Sequence, residues 1–490
     1  MEMKNPPNVI LVVMDTARAD HLSCYGYSRK TTPNIDRIAR DGVLYENAFT
    51  AAPWTPPSHA SIFTGKYPSH HKTIGRDVRF KEGHTSLAEI LSRNGYCSIG
   101  IVCCEILGLR SGFERGFHKY VDVTSSSMLP GRHTKELIRT LIYGPDNGAC
   151  QATELAKKFF NREKKPIFLF MNYFNSHTPY DPPRPFKKRF CNDFDEPMIY
   201  AKEFLLKKLI SRTAEKISRQ YLDIKRLQWI ASGGGGFTFA AKKTTISEAE
   251  WEIVRSWYDG EIAYLDYMFG NLIDFLRQKG ILDNTLIIIT SDHGENFGEH
   301  GLAVHPLCVY DSLLRVPLII SHADMVPKGR RILNLASTID ILPTLTDLLN
   351  IEFDEAIQGK SLHPFEDREV HQYICAEYGG LHTRGFQGMQ AWRIDSKIRE
   401  ALEQVDRGCK CVRTLTHKYI LSLEKEELYD IRDDPLEQVN LANKHPEIVK
   451  SLKRKLEKTV DTSYFGPKEF PHADETDKEM IKRLRALGYI

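Results

Sequence analysis

Three residues of this chain combine the donor chemistry of a divalent-cation site with placement at strand ends. Asp15 ends the continuous apolar run Val9 to Met14, and Asp292-His293-Gly294 follows the run Thr285 to Thr290. Such β-branched runs read as strands buried on both faces of a parallel sheet. Open α/β sheets bind their ligands at the carboxyl ends of their strands. Two carboxylates and an imidazole meeting there would suit Mg, Mn, Ca or Zn. Taken singly, each has a structural alternative, since a strand-end Asp often caps a helix.

Between them lies Pro53-Trp54-Thr55-Pro56-Pro57-Ser58-His59-Ala60-Ser61. Proline favours the first position of a helix, so a helix is predicted to begin near Pro57, with its backbone N–H groups beside Thr55. That end would attract phosphate or sulfate. Thr55 then stands between an anion site and a cation site, where a hydroxyl can become a nucleophile. N-capping by Thr55 or Ser58 suits the same spacing. His59, one turn along, either takes the Thr55 proton or lies on the helix surface.

The elements that must position these residues alternate. Strand-like runs recur at Ile167 to Tyr173 and Val316 to Ser321, with helical patterns at Asn34 to Asp41, His59 to Thr64, Ser86 to Asn94, Ala152 to Asn161 and Glu248 to Lys279. This predicts an α/β fold with a doubly wound, mostly parallel central sheet flanked by helices. Residues 198–243 read as a basic helical and Gly-rich insertion. From 371 the texture shifts to short strands at Cys375 to Tyr378, Gly388 to Ile394, Val412 to Thr414 and His417 to Leu423, then helices at Glu447 to Thr459 and Asp477 to Leu487. A catalytic domain over 1–370 and an antiparallel C-terminal subdomain over 371–490, completing the rim of the site, are therefore expected.

The 490 residues are 41% apolar and 27% charged, which excludes a largely disordered or membrane-spanning chain. A net charge of +3 gives no global field toward nucleic acid. The run Val9 to Met14 is too short for a signal-peptide core or a span, so a cytoplasmic protein is expected. Ten scattered cysteines show no zinc spacing and read as reduced thiols.

The segments around Asp15, Thr55 and Asp292 together resemble the sulfatase family of the alkaline-phosphatase superfamily. So do Tyr258-Asp259-Gly260-Glu261, Arg315-Val316-Pro317, Ser337-Thr338-Ile339-Asp340, Gly359-Lys360-Ser361-Leu362 and Glu427-Leu428-Tyr429-Asp430, in family order along the chain. The resemblance implies an alkaline-phosphatase-like fold and a metal-dependent ester hydrolase. Family sulfatases carry Cys-x-Pro-Ser-Arg, whose Cys or Ser becomes formylglycine. Here Thr55 replaces that residue and His59 the arginine, so no formylglycine is expected.

A threonine alkoxide instead resembles the phosphodiesterases and phosphoryl transferases of the superfamily. Asp15 is followed by Thr16 rather than a second acid, which leaves Asp15, Thr55, Asp292 and His293 for one divalent metal, Mn, Ca or Mg, with Zn a further fit. Arg18 and Asp20 nearby read as a structural pair. His177, in Asn175-Ser176-His177-Thr178-Pro179, and His305, near the family's substrate-binding lysine, are expected to touch ester oxygens or assist the leaving group. Help with a second metal is the alternative, with Asp181 the nearest acid. Ser58 and Lys66 are expected to support substrate binding. The family's Gly-Lys-Trp-His segment is absent, and Cys104 and Glu105 stand at that strand end.

The expected activity is hydrolysis of sulfate, phosphate or phosphonate esters, with phosphorus esters favoured. The substrate would be a small anionic ester or a sulfated or phosphorylated glycan or lipid, with no nucleic acid as partner and no membrane span. A phosphoryl or phosphoethanolamine transferase and an inactive anion-binding protein are the alternatives.

Overall fold

The computed structural model describes residues 6–74, 79–126, 146–191, 226–228, 230–231, 244–305, 307–380 and 408–463, the side chains of 125 and 126 excepted. In chain order the strands are β1 Asn8–Met14, β2 Val43–Phe49, β3 Cys97–Val102, β4 Lys119–Asp122, β5 Ile167–Tyr173, β6 Thr285–Ser291, β7 Asn296–Phe297, β8 Ala303–Val304, β9 Leu318–Ser321, β10 Arg330–Ser337, β11 Ile374–Tyr378, β12 Cys409–Arg413, β13 His417–Ser422 and β14 Glu426–Asp430. Eight of them form the central sheet in the order β10-β2-β9-β6-β1-β5-β3-β4. Strands β5 and β6 are buried throughout and β1 is buried from Val9 onward, which is why they read as unbroken apolar runs rather than alternating ones.

The sheet is doubly wound and mostly parallel, as expected, with one correction. The run predicted as a parallel strand from Val316 begins at Leu318 and lies antiparallel to both β6 and β2. The reason is the connection: the described residues between β6 and β9 form only short elements and no crossover helix to return the chain to the opposite edge. The next strand therefore descends from the edge where β6 ended.

The predicted helices form with small shifts at their ends: Pro33–Arg40, Leu87–Arg93, Ala149–Arg162 and Glu248–Gln278. Two of them start at reciprocal caps. Ser86 Oγ accepts the Glu89 N–H (3.1 Å) and Glu89 accepts the Ser86 N–H (2.8 Å), while Ser247 and Glu250 repeat the device. The long Glu248–Gln278 helix packs against the helices at Pro33–Arg40 and Ala149–Arg162.

Strands β11 to β14 form a separate antiparallel sheet. Three of the four predicted C-terminal strands correspond to β11, β12 and β13, and the helix appears as Pro446–Thr459. Strand β14 is an addition, hidden in the sequence by Glu426 and Glu427. The predicted strand at 388–394, the helix at 477–487 and most of the 198–243 insertion lie outside the described residues. The small sheet is tied to the large one through buried charge: Arg413 Nε and Lys418 Nζ bond the two oxygens of Asp311 (3.0 and 2.7 Å), and Lys418 also reaches Glu437 (2.8 Å). The ten cysteines form no disulfide. Among the described residues no helix is long and apolar enough to cross a membrane.

Candidate active site

The register of the three central strands builds the centre of the site. Met14 pairs with Ser291 on one side and Tyr173 on the other, so Asp15, Asp292 and Phe174 emerge together at the carboxyl edge. The Asp15 N–H donates to Tyr173 O (2.8 Å), extending the ladder by one residue. Thr16 then turns sharply, with φ of +58°, and its N–H donates to Asp292 Oδ1 (3.1 Å). The same oxygen accepts the His293 N–H (2.9 Å).

The other carboxylate oxygens are left over. Asp15 Oδ1 and Asp292 Oδ2 are buried with no hydrogen-bond partner. His293 Nδ1 donates to Gly294 O (2.9 Å), which puts the lone pair of the neutral ring on Nε2. That nitrogen lies 3.5 Å from Asp292 Oδ2 and 3.9 Å from Asp15 Oδ1. Among the described residues Asp15, Asp292 and His293 are the one group of three such ligands, their donor atoms all within 4.8 Å of one another. Burial and the neighbouring Asp292 push the Asp15 carboxyl up, burial pushes Asp292 up, and burial with His305 pushes His293 down. Two partnerless buried oxygens and an imidazole lone pair beside them are costly alone and are relieved by a cation. The mixed oxygen and nitrogen set fits a divalent ion.

Gly294 keeps His293 in place. Its N–H donates to Leu313 O (2.7 Å), and a Cβ here would sit 2.1 Å from Ser312 O.

Thr55 comes to the same edge from another element. The helix begins at Thr55 itself and runs to Thr64, every residue buried. Its N-cap is Trp54, extended and without a side-chain cap, so neither Thr55 nor Ser58 performs the capping considered above. Ser58 Oγ instead donates to Asp292 O (2.7 Å) and pairs with Thr50 Oγ1 (2.8 Å), tying the helix to the β6 end. The expected cluster of amides is also corrected. Pro56 and Pro57 have no N–H, and the Ser58 N–H donates to Trp54 O (3.2 Å), so the helix start contributes mainly its dipole. Thr55 Oγ1 lies 3.3 Å from His293 Nε2 and 3.5 Å from Asp15 Oδ2.

His59 is buried under the helix rather than on its surface. Its Nδ1 is 2.9 Å from Thr55 O and 3.6 Å from Asp292 Oδ2, and its ring packs edge-on against Phe113 and Phe170. Burial pushes it toward the neutral form, and its Nδ1 bonds the Thr55 backbone carbonyl rather than the hydroxyl.

His177 and His305 do converge on the centre. The His305 ring lies 4.4 Å from that of His293 and 4.9 Å from that of His177. Burial pushes both down to about 3, so three neutral imidazoles line one wall. His177 Nδ1 donates to Thr178 O (2.6 Å) and His305 Nδ1 faces Glu295 Oε1 (2.9 Å).

Other expected residues stand elsewhere. Lys66 bonds Glu355 and lies 3.2 Å from His84, its ammonium committed there. Asp181 pairs with Lys187 (2.6 Å), not with the histidines. Arg18 grips Asp20 through two nitrogens (2.9 and 2.8 Å) and also Glu299, holding the loop as anticipated. Burial, with the Asp15 charge, pushes the Cys104 thiol far up, leaving an inert group beside the site. The sequence reading missed Glu295 and Tyr180 as site residues. Both directly follow segments it singled out, Asn175 to Pro179 and Asp292 to Gly294, but only the folded chain joins them.

A family model described as Sulfatase matches residues 7–351. The chain belongs to the sulfatase family. It is a sulfatase-family hydrolase, and its similarity to other members extends over nearly the whole chain. An N-acetylglucosamine-6-O-sulfatase of Bacteroides thetaiotaomicron is 24% identical, the alignment covering 97% of this chain and 88% of that one. The multifunctional alkaline phosphatase superfamily protein PehA of Trinickia caryophylli is 26% identical, covering 89% and 91%. Among solved structures, the phosphonate monoester hydrolase of Agrobacterium radiobacter superposes with a TM-score of 0.69 at 20% identity, covering 92% and 95%. That likeness shows a shared fold.

Proposed function

We propose that this sulfatase-family chain hydrolyses anionic esters through Thr55, with phosphorus esters preferred over sulfate esters. The observation that carries the reading is the placement of Thr55 Oγ1 at the start of a buried helix, 3.3 Å from His293 Nε2 and 3.5 Å from Asp15 Oδ2. A threonine cannot be converted to an aldehyde by the route open to Cys or Ser, so the hydroxyl itself must attack.

Asp15, Asp292, His293 and the Thr55 hydroxyl would hold one divalent ion, Mn, Ca or Mg, with Zn a further fit. When bound, such an ion supplies the positive charge that eases ionisation of a hydroxyl and charge build-up on the ester oxygens. The chain's own residues do the rest. Thr55 Oγ1 attacks in line and bonds the phosphorus while the bond from phosphorus to the leaving oxygen breaks, and the proton lost by Oγ1 is balanced by one taken up on that leaving oxygen. Ser58 and His59 keep the helix start registered on Asp292. His177 and His305 face the remaining oxygens. Water then resolves the Thr55 ester.

A sulfated sugar is the second reading, favoured by the near full-length similarity to an N-acetylglucosamine-6-O-sulfatase. One assay decides between them. Wild type and Thr55→Ala, stripped of metal and then supplied with Mn, Ca, Mg or Zn, are tested on nitrophenyl esters of sulfate, phosphate, a phosphodiester and a phosphonate. Metal- and Thr55-dependent turnover of a phosphorus ester is expected. Turnover of sulfate alone overturns the preference, and turnover that survives Thr55→Ala overturns the nucleophile.

A further inference from the structure

A cavity of about 320 Å³ lies at the amino edge of the central sheet, at the opposite end of β6 from Asp292. Thr285, the first residue of β6, and Ser321, the last of β9, line it together with residues of the Pro33–Arg40 and Glu248–Gln278 helices. The length of β6 puts it roughly 20 Å from the metal ligands. Four cations stand in its wall, Arg37, Arg40, Arg277 and Lys328, against the two exposed carboxylates of Asp41 and Asp283. The bond from Arg37 goes to the neutral amide of Asn34, and Arg277 reaches Asp274 (2.5 Å). Arg40 and Lys328 form no ion pair among the described residues.

His322 adds what these exposed side chains lack, a fixed donor. The residue lines the cavity and is 5% exposed. Its Nδ1 accepts two backbone N–H groups, those of Asp324 (3.1 Å) and Met325 (3.2 Å). A backbone amide only donates, so Nδ1 carries the lone pair and the proton of the neutral ring sits on Nε2. Burial also pushes the ring toward that neutral form. The Nε2–H is buried and has no acceptor among the described residues. An orphaned buried donor is destabilising, and an acceptor brought into the cavity would relieve it.

We propose that this cavity binds a phosphate-type dianion, either the free ion or the phosphoryl end of a small molecule. His322 Nε2–H donates to one of its oxygens. Arg40 and Lys328 supply the charge, with Arg37 and Arg277 in the same wall. The cavity suits an anion rather than a cation because its one fixed group is a donor and its unpaired charges include two cations. The site is separate from the metal centre, so it stands whichever ester Thr55 attacks.

Nitrogen-15 spectra of the histidine side chains, recorded on the full chain supplied with Mg²⁺, read the site directly. The variant His322→Asn assigns the signal, because its amide oxygen stands in for Nδ1 while the Nε2–H is gone. Inorganic phosphate should move the wild-type His322 Nε2–H proton downfield and saturably, as a new hydrogen bond does. Potassium chloride at equal ionic strength should not. Glycerol phosphate is the second probe: tighter binding than inorganic phosphate supports the phosphoryl end of a small molecule as the ligand, and weaker binding supports the free ion. Arg40→Gln/Lys328→Gln changes two exposed side chains, keeps the His322 signal, and should weaken phosphate about 10-fold. A His322 ring protonated at Nδ1, a signal that neither probe moves beyond the chloride control, or an affinity unchanged in the double variant overturns the proposal.

Discussion

Met14 and Ser291 face one another across adjacent parallel strands, and that single pairing brings Asp15 beside Asp292. The link from Thr16 N–H to Asp292 Oδ1 (3.1 Å) then locks one carboxylate oxygen. Its partner oxygen and Asp15 Oδ1 are left without hydrogen bonds in a buried space. The site is thus assembled by strand register first and by side chains second.

Removing the hydroxyl tests the nucleophile. Thr55→Ala should lower kcat by at least about 10³-fold, while Thr55→Ser, which keeps the hydroxyl, should retain measurable turnover. Steady-state kinetics on the best phosphorus ester reads both. Equal loss in the two variants would show that the methyl group, and hence packing, is what matters.

The electrostatics of the centre predict opposite signs for stability with and without metal. Asp292→Asn removes one of two neighbouring buried carboxylates, so the metal-stripped variant should melt at a higher temperature than metal-stripped wild type. Metal at about 100 times its Kd should stabilise wild type by about 2.7 kcal/mol, and the variant by clearly less. Scanning calorimetry with and without chelator measures both terms. A variant that melts lower when stripped would contradict this account of the paired carboxylates.

Gly294 should tolerate no side chain. Gly294→Ala places a methyl 2.1 Å from Ser312 O, and the backbone must yield beside His293. Metal affinity, read by isothermal titration, should fall together with activity. An unchanged affinity would mean that His293 is held by its Nδ1 bond alone.

The buried charges joining the two sheets predict an acid limb in stability. Burial pushes the Asp311 carboxyl up, but Lys418 and Arg413 more than reverse this and hold it at about 2. An unfolded aspartate titrates near about 3.9. The folded value is the lower one, so this contribution is complete above about pH 4 and fades as pH falls toward 2. The stability gap between wild type and Asp311→Asn, from urea titrations, should therefore be wide at neutral pH and narrow between pH 4 and 2. Lys418→Met, which leaves Asp311 to Arg413 alone and takes the ammonium from Glu437, should cost about 3–5 kcal/mol near neutral pH.

Much of this arrangement was legible in the chain. The strands before Asp15 and Asp292 announce themselves because a strand buried on both faces can hold only apolar residues. The grouping of Asp15, Asp292 and His293 follows from their shared carboxyl edge, while Thr55 stood out by its place in the Thr55-Pro56-Pro57-Ser58-His59 segment. Less legible were features set by partners far along the chain. The start of the Thr55 helix was misplaced because proline suits several first-turn positions equally. Lys66 read as a substrate contact because Glu355, which takes its ammonium, is nothing in the sequence but an acid in a loop.

What the sequence determined by itself is the chemistry on offer: two acids and an imidazole at strand ends, a hydroxyl in the Thr55-Pro56-Pro57-Ser58-His59 segment, and two histidines in loops. What only the tertiary structure decided is how those groups are committed. Hydrogen bonds and burial are set by neighbours distant in sequence. So it took the fold to show that Asp15 Oδ1 and Asp292 Oδ2 lack partners, and that His59 bonds a backbone carbonyl. The fold also pins Glu295 between Tyr180 and His305, a relationship no spacing along the chain encodes because its three members lie on separate loops that meet only at the sheet's carboxyl edge.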